Sequence, residues 1–466
     1  MDMSNENVFL CFSHGFQVRN FLQTKFIHSL TGSYQVVIII NEADKGYLTK
    51  FIERLQLKNI TIEGVTVCKR SYEELFIFIR KNIFIHPDRA RTRNILNEMN
   101  KKKLGSLYKI TSFLNKLVGR FEFMRSLWRG VEGMLITGWE FEALLKKYKP
   151  GKVITGNYGT EPFEIRLLRA ARRLRIKSLA VVPSWDNLTS KGVMGVKPDY
   201  LTVWNDIMEQ EAIELHAFKK ERVFVTGPLQ FDNFFDPAYR IVKDLFYSKF
   251  KIEQNRPIIT FGTITPKYFK YNLEVLYILK DLIEKNEIRG NPKVLVRIHP
   301  QVVKDPVFGD NMEQYYTLQK SSDIFCLSIP DVEEWASISI PKETDYTELI
   351  SALTYSTICI SSASSLIFDS CACNTCFIGV GFDGNDKGLP YHQSVRRMFD
   401  FEHYRHVVAL GGFYIAESRE ELAQYINAYL DNPEIHKKER EQTLQEQIKF
   451  CDGKNYQRVM EAVKSI

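Results

Sequence analysis

The sequence contains no apolar stretch long enough to cross a membrane, which takes about 20 consecutive apolar residues in a helix. Its beginning, MDMSNENVFLCF, also lacks the basic segment and long apolar run of a secretory signal. These absences exclude a membrane-spanning protein and predict a cytoplasmic one. The composition, with 44% hydrophobic and 26% charged residues, is typical of a globular protein with an ample core.

Cysteine is sparse, and its distribution excludes a disulfide framework. Eight cysteines are scattered over 466 residues, mostly in apolar surroundings, which predicts reduced and buried thiols. The one cluster, formed by Cys371, Cys373 and Cys376, has no further ligand group at the spacing of a zinc site. We interpret the cluster as small core side chains, and we predict no bound metal and no cofactor.

The net charge of +7 is unevenly distributed. Between Arg80 and Arg129, thirteen Lys or Arg stand against three acidic residues, so this stretch carries +10 and the remainder about −3. From Leu104 to Trp128, apolar residues recur at helical spacing with basic residues largely between them. Residues 72–131 therefore predict a helical basic insertion. Its apolar face could pack on the domain, while the basic residues of 80–129 favour an anionic membrane surface or polysaccharide. We predict no nucleic-acid partner.

Strand-like and helix-like segments alternate along the chain, the pattern of a parallel sheet wrapped by helices. The pattern restarts after a polar stretch, and we predict an α/β fold with Rossmann-like domains at 1–237 and 238–440. A helical tail at 441–466 is expected to pack back on the first domain. Two such halves facing each other across a cleft describe the GT-B architecture of nucleotide-sugar transferases, so the pattern predicts that architecture by analogy.

The loop Pro183–Gly192 follows an apolar run, Ser178–Val182, that predicts a buried strand. Ligands of open α/β sheets bind beyond the carboxyl ends of the strands, so this polar loop indicates a site for an anionic substrate. One or two of its polar groups could be helix caps, but five exceed what capping needs. The residues predicted on this acceptor side are Trp185, Asp186, Asn187, Thr189 and Lys191, with His14, Asn157 and Glu161 after two other strands.

The second half has its own polar strand ends. A serine-rich stretch from Ser361 stands where a strand ends and a helix begins, and free N–H groups with serine hydroxyls suit a phosphate. One serine would suffice as a cap, whereas four favour anion binding. Arg297 and His299 end another strand and could grip phosphate or move a proton. The predicted donor-binding residues are Arg297, His299, Gly262, Thr263, Ser361, Ser362, Ser364, Ser365 and, ranked lowest, Asp369.

These motifs carry a resemblance to a known family. The strand-end Arg-x-His-Pro at 297–300 and the Ser-Ser-x-x-x-Asp at 364–369 resemble the donor half of the CDP-glycerol glycerophosphotransferases that build teichoic acids. The stretch from Trp185 to Lys191 has the spacing of that family's Trp-His-Gly-Thr-Pro-Leu-Lys motif, with Asp186 in place of the His. Residues 150–450 also resemble bacterial surface-polysaccharide proteins with a Ser-Trp-Asp-Asn-Leu-Thr-Ser-Lys-Gly loop, generally assigned as GT-B glycosyltransferases. The Asp favours glycosyl transfer over polyol-phosphate transfer.

The resemblance implies a metal-independent glycosyltransferase. It would move a sugar from a nucleotide-diphosphate donor to a growing surface polysaccharide, such as a capsule or cell-envelope glycan, or to a lipid-linked acceptor. Asp186 is the first candidate base and His14 the second, while His299 is a third catalytic candidate. The alternatives are a CDP-polyol phosphotransferase, a nucleotide-sugar 2-epimerase with carboxylates around the sugar ring, and a non-catalytic subunit of a glycan-assembly complex. We expect the protein at the inner face of the plasma membrane.

Overall fold

The computed structural model describes residues 6–68, 70–89, 91–304, 311–386 and 388–466. The chain forms two compact units. The first unit comprises Met1–Asp232, Glu333–Ile340 and Ile448–Ile466, and the second comprises Asn233–Val332 and Pro341–Gln447. The boundary between the two units lies at residue 232, whereas the sequence suggested 237. The C-terminal segment that belongs to the first unit begins at 448, whereas the sequence suggested 441.

The first unit is built on a parallel sheet with the strand order β3-β2-β1-β4-β5-β6-β7. The strands are β1 (Asn7–Cys11), β2 (Gln35–Asn41), β3 (Ile60–Val65), β4 (Lys152–Thr155), β5 (Lys177–Val181), β6 (Tyr200–Val203) and β7 (Val223–Val225). Val8 and Leu10 enter one core cluster and Phe9 enters another, because successive side chains of a strand point to opposite faces. Both faces are therefore buried, as parallel sheets require.

Helices connect these strands. They are α1 (Gly15–Leu22), α2 (Lys25–Thr31), α3 (Lys45–Arg54), α4 (Ser71–Asn82), α5 (Arg91–Met99), α6 (Lys101–Leu104), α7 (Ser106–Val118), α8 (Glu122–Leu135), α9 (Glu142–Tyr148), α10 (Pro162–Arg173), α11 (Asn187–Ser190) and α12 (Asp206–His216). The run from α4 to α8 lies between β3 and β4, where a doubly wound fold needs only a crossover helix.

The second unit has a parallel sheet in the order β10-β9-β8-β13-β14-β15. These strands are β8 (Ile258–Gly262), β9 (Lys293–Arg297), β10 (Phe325–Ser328), β13 (Ile358–Ser361), β14 (Cys376–Val380) and β15 (Tyr414–Ala416). Its helices are α13 (Lys243–Phe250), α14 (Asn272–Glu284), α15 (Pro300–Lys304), α16 (Met312–Ser321), α17 (Glu343–Tyr355), α18 (Leu366–Ala372), α19 (Glu402–Leu410), α20 (Arg419–Asp431) and α21 (Lys437–Gln447). The predicted α/β class with two Rossmann-like sheets is confirmed.

Two later segments complete the first unit. The last helix, α22 (Asn455–Ser465), buries Val459 and Val463 in the same core cluster as Val8. A hairpin of β11 (Val332–Glu334) and β12 (Ser339–Pro341) places Trp335 in that cluster, edge-on to Phe51. The apolar spacing of the tail predicted the first of these contacts, whereas no sequence pattern indicated the second.

Candidate functional site

The strand order of the first sheet reverses between β1 and β4, and ligands of doubly wound folds bind at such a reversal. Here the chain leaves β1 and enters α1 through Ser13 and His14. The backbone N–H groups of both residues donate to Oε1 of Gln17, at 2.6 and 2.8 Å. The side-chain amide of Gln17 therefore fixes the turn, and it sets His14 at the start of the helix.

His14 faces Glu161, which immediately precedes α10 on the β4 side of the reversal. Nε2 of His14 lies 3.6 Å from Oε2 of Glu161, and the two side chains are 40% and 36% exposed. Burial alone lowers the pKa of His14, but contact with the Glu161 carboxylate outweighs it and the net pKa is raised. The same contact lowers the pKa of Glu161. The pair is a solvent-accessible imidazole–carboxylate arrangement that can take up or release a proton.

A second carboxylate, Glu164, lies directly beneath this pair and is fully buried. Its Oε1 accepts hydrogen bonds from the Ser13 hydroxyl at 2.6 Å and from the Gln17 amide at 2.8 Å. Oε2 has no hydrogen-bond partner in the described structure. Burial raises the pKa of Glu164 to about 7, because desolvation outweighs the hydrogen bonds from Ser13 and Gln17 and the charge of nearby His14.

Asp186, the first candidate base, is occupied by its own loop. Its Oδ1 accepts from the Ser184 hydroxyl and its Oδ2 from the Ser190 hydroxyl, both at 2.6 Å. The backbone carbonyl of Asp186 accepts from the N–H of Ser190 at 2.9 Å, which closes the single turn of α11. With both carboxylate oxygens engaged by hydroxyl groups, Asp186 organises the loop.

Most of the other predicted acceptor-side residues are buried and shape the loops, whereas Lys191 is exposed. Asn157 accepts from the N–H and hydroxyl of Thr160, both at 2.9 Å, and so shapes the turn before Glu161. Trp185, Asn187 and Thr189 are buried, and Tyr158 donates to the carbonyl of Asn187 at 2.6 Å. Lys191 is exposed, and its positive charge acts on the pKa of both His14 and Glu161.

Arg297 of the second unit is buried and already paired. Its guanidinium donates to Asp345 at 2.6 Å and to the Ser328 hydroxyl at 3.0 Å, and it lies 3.7 Å from Glu348. A phosphate would have to displace these partners, so the arrangement fits a residue that holds β9, β10 and α17 together.

His299 and the loop after β8 are linked by hydrogen bonds. The backbone N–H of His299 donates to the Thr263 hydroxyl at 2.7 Å, and the N–H of Gln301 donates to Nδ1 of His299 at 3.1 Å. The second contact requires the ring hydrogen on Nε2, which makes that nitrogen a donor. Burial lowers the pKa of His299 to about 4, so the ring is neutral near pH 7. Gly262 is packed so closely that a Cβ would lie 2.2 Å from Leu366.

The serine-rich stretch separates into an inner and an outer pair. Ser361 donates to the carbonyl of Gly262 and Ser362 to that of Val380, each at 2.9 Å, and both residues are buried. Ser364 is half-buried and Ser365 exposed at the start of α18, and Asp369 is half-buried within that helix. The outer pair alone offers hydroxyl groups to a ligand.

Part of the predicted basic patch is internal. Arg80 and Arg125 are 3% exposed. Arg80 lies 3.4 Å from the fully buried Glu132, and Arg125 donates to the carbonyls of Leu215 and Gly119 at 2.6 and 2.8 Å. The charge excess of the sequence therefore overstates the surface charge. The side chains of Lys102 and Lys103, which the patch includes, lie outside the described part of the chain.

The structure thus brings His14, Glu161 and Lys191 together at one strand-end edge, and it sets Asp186 beside them as scaffold. Sequence reasoning missed Glu164 and Gln17. A signal for Glu164 existed, since a Glu within the apolar stretch PFEIRLL falls on the buried side of an amphipathic helix.

No helix in the described ranges is long and apolar enough to cross a membrane. No group of three His, Cys, Asp or Glu residues is placed to hold a metal ion among the residues described.

The same fold occurs in solved UDP-GlcNAc 2-epimerases and in a solved glycosyltransferase. The UDP-GlcNAc 2-epimerase of Neisseria meningitidis, bound to UDP-GlcNAc, aligns with a TM-score of 0.55 at 11% identity, covering 99% of this chain and 100% of that one. The epimerase of Methanocaldococcus jannaschii gives 0.52 at 10%, covering 99% and 100%. A glycosyltransferase of Rickettsia africae gives 0.52 at 14%, covering 99% and 98%. The predicted GT-B type of fold is confirmed.

No protein-family model matches the chain, and comparison with curated proteins gives no match. The resemblance to the CDP-glycerol glycerophosphotransferases is therefore not confirmed. At the identities found for the solved structures, the likeness concerns the fold, and the activity has to be argued from the residues.

Proposed function

We propose that this protein is an enzyme that acts on a nucleotide sugar and transfers the sugar to a hydroxyl group of an acceptor. The observation that carries the proposal is the accessible His14–Glu161 pair at the strand reversal of the first sheet. A base for this reaction has to reach the acceptor hydroxyl, and it is most effective when a neighbouring group raises its proton affinity. The raised pKa of His14 has that origin.

In the proposed step, the acceptor oxygen forms a bond to the anomeric carbon while the bond from that carbon to the donor phosphate breaks. The hydroxyl proton passes to the His14–Glu161 pair, and the nucleoside diphosphate leaves with the bonding electrons. Lys191 is proposed to orient the acceptor by hydrogen bonding, since it is exposed beside the pair.

We assign donor binding to the second unit, with the diphosphate contacted by Ser364, Ser365 and Nε2–H of His299. Neutral hydrogen-bond donors of this kind can stabilise charge on a leaving phosphate without a metal. Arg297 has an indirect, positioning role, because its ion pair with Asp345 fixes the end of the strand that precedes His299. Surface polysaccharide and lipid-linked glycan remain our candidates for the acceptor.

Epimerisation at C2 of the sugar is the second candidate. It is favoured by the solved structures, which include UDP-GlcNAc 2-epimerases. It ranks second because only one of the three carboxylates at this edge is both exposed and free of loop hydrogen bonds. Glu164 is fully buried and Asp186 is engaged by two hydroxyls, which leaves Glu161. Proton exchange at a sugar ring carbon is expected to need acid–base groups around the ring.

The test incubates purified protein with a panel of nucleotide sugars, with and without a cell-envelope acceptor fraction. Release of nucleoside diphosphate only when acceptor is present supports transfer. Formation of a C2 epimer without acceptor would identify epimerisation, not sugar transfer, as the function. Release of CMP from a CDP-polyol indicates polyol-phosphate transfer, and inactivity toward the whole panel favours a non-catalytic subunit. Glu161→Gln should lower the activity without abolishing it, and Glu53→Gln, an exposed change on α3, serves as the matched control.

A further inference from the structure

The helices α7 and α8 of the first unit expose an unusual amount of apolar surface. On α7, Phe113 is 67% exposed, and on α8, Phe123 and Met134 are 67% and 73% exposed. We call the whole set the α7–α8 apolar face: Leu107, Ile110, Phe113, Leu117, Phe121, Phe123, Leu127, Met134 and Leu135. Exposed apolar residues concentrated on two consecutive helices indicate an interaction site in a folded protein.

The fully buried side chains of the same helices are polar, unlike those of an ordinary amphipathic helix. On α7, Thr111 and Asn115 are buried, and Nδ2 of Asn115 donates to the carbonyls of Ile83 and Ile85 at 2.9 and 2.6 Å. On α8, the buried side carries Arg125 and Glu132, with their hydrogen bonds and ion pairs inside the unit. The apolar residues therefore point outward because polar anchors hold the opposite side.

Positive charge adjoins this face. Lys109 and Lys116 are exposed one heptad apart on α7, so they lie on one side of the helix, next to the stripe that contains Phe113. Along α8, Phe123, Leu127, Gly130 and Met134 share a stripe at helical spacing. Gly130 also lines a surface depression whose basic residues are Arg129, Arg169, Arg172, Arg173 and Lys197.

Apolar side chains bordered by Lys and Arg match the boundary between the headgroups and acyl chains of an anionic bilayer. A second copy of this chain is a poorer match, because Lys is depleted at protein–protein interfaces. We propose that the α7–α8 apolar face inserts shallowly into a membrane that contains anionic lipid, with Lys109 and Lys116 at the level of the phosphates. This inference goes beyond the proposed reaction and does not depend on it.

Vesicle sedimentation tests the proposal, with phosphatidylcholine vesicles compared with vesicles that also contain phosphatidylglycerol. Wild-type protein should bind the anionic vesicles, and part of the binding should survive high salt because burial of apolar surface is not screened. The double variant Phe113→Ser, Leu117→Ser should bind roughly tenfold or more weakly, as expected when buried apolar side chains are lost. Lys109→Gln with Lys116→Gln should weaken binding at low salt only.

The matched control is Val242→Ser with Leu245→Ser in the second unit, where the wild-type side chains are 65% and 64% exposed. This control should bind vesicles as the wild type does, and every variant should keep the wild-type nucleotide affinity. Wild-type protein that ignores both kinds of vesicle overturns the proposal. The proposal is also overturned if the wild type binds no vesicles and forms a dimer that Phe113→Ser, Leu117→Ser converts to a monomer. A second copy of this chain would then cover the face.

Discussion

Both units bury carboxylates near the carboxyl edge of a parallel sheet, but they stabilise them differently. In the second unit, Asp345 and Glu348 flank the guanidinium of Arg297 on β9. In the first unit, Glu164 accepts its hydrogen bonds from the neutral side chains of Ser13 and Gln17. Burial raises the pKa of Glu164, because desolvation disfavours the charged form of a carboxyl group that has neutral hydrogen-bond donors.

The difference separates structural charges from titratable ones. The second edge contains fixed charges, a neutral histidine and backbone-bonded serines, which suit the binding of a ligand in one orientation. The first edge contains His14 with a raised pKa and Glu164 with a pKa of about 7. Groups that change protonation near neutral pH cluster at sites of proton transfer. The chemistry is therefore expected at the first edge.

The largest expected effect tests this assignment at His14. His14→Ala should lower turnover by about 10²- to 10⁴-fold, the usual contribution of a general base, while nucleotide affinity stays near the wild-type value. The measurement is kcat and nucleotide Kd for the variant, with Phe16→Ala as a control that removes only the ring stacked on His14. A variant that keeps turnover but loses nucleotide affinity would make the first edge a binding surface.

The pH profile sharpens the same test. The base is active when His14 is neutral, so the rate should rise with pH through the His14 pKa. Because the carboxylate of Glu161 raises that pKa, Glu161→Gln should move the rising limb to lower pH. If the rising limb of the pH profile does not move in Glu161→Gln, a group other than His14 controls the rate.

The next effect concerns Arg297. Arg297→Ala leaves Asp345 buried without its cation and leaves Glu348 paired with Lys249 alone, and it should reduce the free energy of unfolding by about 3–5 kcal/mol. Urea denaturation measures the loss, and adding Asp345→Asn and Glu348→Gln should recover part of it. If Arg297→Ala is as stable as the wild type and instead binds nucleotide weakly, the guanidinium is a ligand group and the contrast between the edges fails.

The sequence predicted the two α/β halves because strand and helix periodicity are local properties. It also predicted His14, Glu161 and Lys191 as neighbours, because carboxyl ends of parallel strands share an edge. It could not show that Asp186 is engaged by Ser184 and Ser190, since that depends on loop geometry. The surface charge of the insertion also depends on the fold. Buried arginines such as Arg80 count as charge in a sequence but not on a surface.

The smallest effect concerns Glu164 and the pH dependence of stability. Its pKa is about 7 in the folded protein against an ordinary value of 4.5, so the folded state binds more protons between these values. Stability from this group is complete below the ordinary pKa and is lost as pH rises through the folded one, by up to about 3 kcal/mol. Glu164→Gln mimics the protonated form and removes this dependence. Its free energy of unfolding should match the wild type at pH 5 and exceed it by about 2–3 kcal/mol at pH 8.

Urea denaturation across that range measures the difference, and Glu53→Gln should show only a constant offset. The effect follows from the burial of Glu164, which outweighs its hydrogen bonds and the charge of His14. A difference that does not grow with pH would mean that Glu164 is ionised throughout, as a carboxylate with an arginine partner is. The two edges would then stabilise their buried acids alike, and proton transfer at the first edge would rest on His14 and Glu161 alone.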